Sequence, residues 1–119
     1  MLNRNLMGAD PSHYFAIVGL GGEELGAGLD IRNIKSSREV EKGVDVLVVR
    51  GEIANISDEE HMVPMIRVAL FDLNNGEIQS IVAAPFKNRL QAGFKIGFSA
   101  KLPEPSALAR RFEVTFTEP

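Results

Sequence analysis

The most suggestive chemical cluster in the chain is His61-Met62-Val63-Pro64-Met65. An imidazole beside two thioethers suits Cu(I), and copper carriers built on β-sandwiches use such ligands. They draw them from more than one strand, however. The other candidates here are remote, since His13, Met1 and Met7 all lie in the N-terminal segment. The plainer reading is a loop histidine beside methionines that fill gaps in a core.

Other candidate chemistries are weaker. Gly19-Leu20-Gly21-Gly22 invites a nucleotide-loop reading, but Glu24 stands where a third glycine is needed and no βαβ unit surrounds it. A phosphate-loop lysine is missing as well. There is no G-x-S-x-G elbow, and a Ser-His-Asp set would have to recruit His13 or His61. Asp58-Glu59-Glu60 puts three carboxylates in one turn, where a cleft would hold them apart. Arg110-Arg111 and the group Lys87, Arg89 and Lys95 read as solvated charges, with an acidic lipid or acidic partner as second choice. With no cysteine, disulfides, thiol catalysis and cysteine zinc sites are excluded.

The elements that must position these residues are strands. Residues 1–26 are loop formers around one short apolar run, Tyr14 to Val18, followed by Gly19, Gly21, Gly22, Gly26 and Gly28. Such glycine density opposes a helix, so this part is expected to be a linker or one short strand. Residues 27–119 are expected to form the folded domain. Strand signals begin at Leu29-Asp30-Ile31. Val44 to Ile56 is a long β-branched stretch, interrupted at Gly51, where a bulge is expected. Pro64 leads into Ile66, Val68 and Leu70, with Arg67 between. Asn75-Gly76 is a hairpin signal that predicts positive φ at Gly76. Glu77 to Val82 returns as the partner.

The C-terminal half alternates most clearly. Phe94, Ile96, Phe98, Ala100 and Leu102 share one face, and Lys95, Gly97, Ser99 and Lys101 the other. Phe112, Val114 and Phe116 repeat the pattern against Arg111, Glu113, Thr115 and Thr117. One apolar and one charged face belong to an antiparallel sheet covered on one side. Residues 103–110 have room for one helical turn. The spacing thus predicts an all-β, Ig-like antiparallel sandwich of six to eight strands. Its core would join Leu47, Val49 and Ile53 to the Ile66–Leu70, Phe94–Phe98 and Phe112–Phe116 sets.

At 119 residues the chain is one domain, large enough for a core without staples. Apolar residues are 45% and charged residues 24%, so wholesale disorder is not expected. Net charge −3 and 7% aromatic residues speak against a nucleic-acid module. No apolar run is long enough for a membrane span. No secretion signal is visible, so a location outside the cytoplasm would require an upstream segment.

Gly51-Glu52-Ile53-Ala54-Asn55-Ile56-Ser57, Val63-Pro64, Ile66 to Asp72, Asn75-Gly76, Leu90 to Leu102, Pro103 and Pro105 follow one another in a recognisable order. This order resembles the C-terminal Ig-like domain of unknown function of proteobacterial zinc-ribbon, single-span membrane proteins. It is similar, too, to the Ig-like family named for its F-x-L-Y-D motif. The resemblance covers about residues 12 to 117. Ala83-Ala84-Pro85 departs from it, since many relatives carry a bulky aromatic before the proline. The chain also shows neither zinc ribbon nor span. The resemblance implies a domain on the periplasmic side of the bacterial inner membrane, anchored through an upstream segment, with no assigned reaction.

The function expected is therefore a non-catalytic protein-interaction or structural module of a bacterial envelope protein. The alternative is a small-ligand or Cu(I)-binding carrier using His61, Met62 and Met65. No catalytic, cofactor-binding or metal residue is assigned. Gly51, Asn55, Asp72 and Gly93 are explained by turn and strand chemistry. One further surface stands out. Val44, Val46 and Val48 fall on the face opposite Leu47 and Val49. They need a cover, either the Tyr14–Val18 run or a second copy of the chain.

Overall fold

The computed structural model describes residues 25–118. Among them there is no helix, and so none long and apolar enough to cross a membrane. Eight strands follow in order: β1 (Leu29–Glu41), β2 (Val44–Asn55), β3 (His61–Met62), β4 (Met65–Phe71), β5 (Glu77–Ala83), β6 (Arg89–Leu90), β7 (Lys95–Pro103) and β8 (Arg111–Thr117). They build one three-stranded sheet in the order β1-β2-β7 and another in the order β5-β4-β8. A short ribbon joins β3 to β6. All pairings are antiparallel. This is the all-β sandwich that the alternating pattern predicts.

Register explains the core. Ile53 opposes Ile96, Gly51 opposes Phe98 and Val49 opposes Ala100, so these share the inner face of the first sheet. Ile66 opposes Phe116 and Val68 opposes Val114 in the second. Val49, Ile53, Ile66, Val68, Phe98, Val114 and Phe116 form one buried cluster, with Leu47, Ile96 and Phe112 packed at its margin. Leu29, Ile31, Ile34, Val63, Leu90 and Ala100 complete it.

Several expectations change. Phe94 precedes β7 and is 59% exposed, because the strand begins only at Lys95. Glu113 is half-buried rather than exposed and pairs with Arg111. Residues 104–110 form bends and a turn, not a helical turn. The bulge is real but lies across from Gly51. Arg32 pairs with Glu52 and Lys35 with Arg50, so Asn33 and Ile34 of β1 together face Gly51. A methyl group at Gly51 would stand 2.7 Å from the Phe98 ring and 3.1 Å from Ile34. The missing side chain is therefore filled by an aromatic from the neighbouring strand.

Val46 and Val48 are buried, and only Val44, at the β1–β2 hairpin, is open to solvent. The three valines do not form an exposed stripe. β2 is the middle strand, so Val46 lies between Glu39 and Pro103, and Val48 between Ser37 and Lys101. The Tyr14–Val18 cover lies outside the described residues.

The β4–β5 turn also corrects the sequence reading. Positive φ falls on Asn75 (65°) and not on Gly76. The Asp72 carboxylate closes the turn by accepting from the backbone N–H groups of Asn74 (2.9 Å) and Gly76 (2.8 Å). Asparagine tolerates the left-handed region because its short polar side chain bonds locally. Asn75→Val is expected to cost about 1–2 kcal/mol, measured by chemical denaturation, and to exceed the cost of Gly76→Ala.

Candidate functional site

One end of the sandwich carries the His61–Met65 segment. It is built from the end of β2, the start of β4, the end of β8, the β3–β6 ribbon and the Leu25–Gly28 turn. Asn55 is its pivot. This residue is 2% exposed, the one buried polar side chain among the described residues. Its Nδ2 donates to the carbonyls of Glu59 and Leu90, both at 2.9 Å. Its Oδ1 accepts from the Ser57 backbone N–H (2.9 Å) and the Ser57 hydroxyl (2.7 Å). The Asn55 backbone N–H donates to the Phe94 carbonyl, and the Gly93 N–H donates to the Asn55 carbonyl. The side chain thus ties the loop before β3 to the end of β6, and the backbone of the same residue bonds the segment between β6 and β7. The turn-bonding role expected of Asn55 is present, extended to a second loop.

Large apolar side chains are exposed in the loops of this half of the domain, among the charges of Asp58 to Glu60. Ile56, Met62, Phe86 and Phe94 are each about three-fifths exposed or more. Phe86 holds its own loop to β7. Its ring fills the space where Gly97 lacks a side chain, 3.2 Å from the position of a would-be Cβ, and its N–H donates to the Gly97 carbonyl. In this chain the aromatic follows Pro85 instead of preceding it. Beside these residues runs a groove of about 420 Å³, lined by Leu25, Met62, Pro64, Met65, Asn88 and Thr117 among others.

The structure divides the His-Met cluster. Met62 and Met65 both line the groove, and His61 is not among its lining residues. Adjacent residues of a strand point to opposite faces. The His61 imidazole stands where a side chain on Gly28 would sit, with Ser57 on the same spot. Gly28 has φ of 80°, so both its backbone and the imidazole require glycine there. Among the described residues no group of three His, Cys, Asp or Glu side chains could hold a metal ion. His13 and Gly19 to Gly22 lie outside the described residues.

The charged groups are engaged locally. Asp58, Glu59 and Glu60 sit exposed between β2 and β3, and Glu60 pairs with Arg89 across the ribbon at 3.2 Å. Lys95 reaches Glu52 at 3.8 Å. Arg110 donates to the carbonyls of Ala107 and Ala109, and Arg111 lies 4.2 Å from the centroid of the Phe71 ring. These residues converge on no common point.

A second depression went unread in the sequence. At the β1 bulge a polar trough of about 570 Å³ is lined by Asn33, Lys35, Ser36, Ser37, Arg50, Gly51 and Glu52. Asn33, with φ of 57°, donates through its amide to Glu52 at 2.7 Å. Only the asparagine, as a residue that tolerates the left-handed region, could have signalled it.

No protein-family model matches this chain, and no curated protein matches it. Among solved structures, the chain is similar to a member of the DUF1425 family from Shewanella sp. pv-4. The two are 19% identical over 76% of this chain and 78% of that one, with a TM-score of 0.47.

Proposed function

We propose that the chain is a non-catalytic protein-interaction module of a bacterial envelope protein, carried on the periplasmic side of the inner membrane. The observation that supports this reading is the apolar loop end of the sandwich. Ile56 and Phe94 stand exposed at the Asn55 junction, and exposed Met62 lines the groove with Met65. Large apolar and aromatic side chains grouped on a surface mark interaction sites, because their burial in a partner is favourable. The backbone below them is fixed by the Asn55 network, so the patch is preorganised and little ordering entropy opposes binding. The envelope location rests on the resemblance to the zinc-ribbon membrane proteins.

The test uses the full chain as bait on detergent-solubilised bacterial membranes, in parallel with Met62→Asp and Phe94→Asp. A partner held by the native chain and lost from both variants, at unchanged thermal stability, is the expected result. Equal capture by all three would overturn the use of this surface. The second reading, a Cu(I) carrier, has two of its three donors, Met62 and Met65, in the groove. It requires sub-micromolar Cu(I) binding under reducing conditions that Met62→Ala and Met65→Ala abolish.

A further inference from the structure

Within its sheet β1 pairs only with β2, so its other side is a free edge among the described residues. Beyond the bulge this edge continues for seven residues, Lys35-Ser36-Ser37-Arg38-Glu39-Val40-Glu41. An unpaired edge offers its N–H and C=O groups to another chain, and proteins commonly guard it with charge. The charges here change sign along the strand. Lys35 lies at one end, and Glu39 and Glu41 at the other. Register places Lys35, Ser37 and Glu39 on one face, opposite Arg50, Val48 and Val46. The two arginines of β1 have acidic partners, Arg32 with Asp30 and Arg38 with Asp45, and its glutamates pair within the chain, Glu39 with Arg50 and Glu41 with Lys101. Lys35 has no acidic partner among the described residues.

We propose that β1 pairs antiparallel with β1 of a second copy, about a two-fold axis at Ser37. This register opposes Lys35 to Glu39 of the second copy, and Ser36 to its Arg38. Both relations occur twice. Ser37 meets its own counterpart. Glu41 of the second copy arrives opposite Asn33, at the trough that Lys35 and Arg50 line. Opposite charges facing each other across strands are stabilising and like charges destabilising. Parallel pairing in register would set lysine on lysine and glutamate on glutamate, so the charge order selects the antiparallel arrangement. The pairing joins two three-stranded sheets into one of six strands. It uses different residues from the Met62–Met65 groove, so its failure would leave that reading untouched.

The chain has no cysteine, so a single introduced thiol reports the contact. Residues directly opposed in an antiparallel pair have Cα atoms about 4.5–5.5 Å apart, within disulfide range. On mild oxidation of the full chain, Ser37→Cys should give a disulfide-linked dimer, and Ser80→Cys, exposed on β5, should not. Adding Lys35→Glu to Ser37→Cys should slow cross-linking about tenfold. Further addition of Glu39→Lys should restore it. The native chain should show a mass that rises toward the dimer with concentration in light scattering. A monomeric mass up to millimolar concentration, with Ser37→Cys no faster than Ser80→Cys, would overturn the proposal. So would cross-linking indifferent to Lys35→Glu, or a dimer that forms without the Ser37 contact.

Discussion

Phe98→Ala is expected to lower the unfolding free energy by about 3–5 kcal/mol. Domains of this size are held by about 5–15 kcal/mol in all, so the variant should lie close to its limit of stability. The reason is where the ring sits. Phe98 is 1% exposed and faces Gly51 across the β2–β7 ladder. Gly51 has no side chain with which to fill the space the ring leaves. Ile34, close to the same point, is fixed by the bulge in β1. Truncation therefore leaves a cavity that neighbouring atoms cannot readily collapse into, and cavity volume adds to the lost transfer energy. Gly51→Ala tests the same contact from the other side. Its methyl group would meet the ring at 2.7 Å, an overpacking expected to cost about 1–3 kcal/mol. Lys101→Ala is the control. Its ammonium pairs with Glu41 on an exposed face, where ion pairs contribute little. Chemical denaturation of the three variants would measure these values. A cost for Lys101→Ala equal to that of Phe98→Ala would contradict the observed register.

The difference between Phe98 and Lys101 is written in the sequence, because β7 alternates without interruption from Ile96 to Leu102. The same holds for β8, whereas β4 buries Val68, Ala69 and Leu70 in succession. β2 is legible as a strand, and so is the need of its outer valines for a cover; Val46 and Val48 are buried and only Val44 is open. Alternation tells which residues share a face and says nothing about what lies beside them. The distal half of β1 was harder to see. Lys35 to Glu41 carries one apolar residue, Val40, and no period; its strand conformation comes from pairing with β2. Gly51 suggests a bulge in β2 because a glycine is visible in a sequence. The inserted residues are across the ladder, where Asn33 was the only sign. At the β4–β5 turn, Asn75 and Gly76 both tolerate positive φ, and the Asp72 carboxylate decides which one adopts it. The candidate site was half legible. Met62, Pro64 and Met65 are neighbours in sequence, whereas Leu25 and Thr117 reach the groove only through the topology.

Asn55→Ala is expected to cost about 2–3 kcal/mol, more than its small loss of volume suggests. The side chain fills all four of its bonding positions: two donations to carbonyls and two acceptances from Ser57. Removing it leaves the Leu90 carbonyl without that partner in a buried setting, and an orphaned buried acceptor loses its solvation with no return. Asn55→Asp separates bonding from shape. An ionised carboxylate has the same size but only accepts hydrogen bonds. It would set two oxygens against the carbonyls of Glu59 and Leu90, and burial would add a desolvation cost. Both effects raise the folded-state pKa of the new carboxyl above its unfolded value. The destabilisation is then full above that raised pKa and recedes as pH falls through it, when a protonated carboxyl regains one donor. The native chain lacks this dependence at position 55, so the difference in stability between the two should shrink on acidification. Hydrogen exchange adds a local readout. Protection at Asn55 and Gly93, whose amides bond across the same junction, should fall in both variants, while β4 and β8 follow only the global loss. If these amides kept native protection, the pivot role of Asn55 would be wrong. Under the proposed interaction role, untying the two loops leaves Phe94 and Met62 without a fixed backbone, so capture of a partner should weaken with no change in any surface residue.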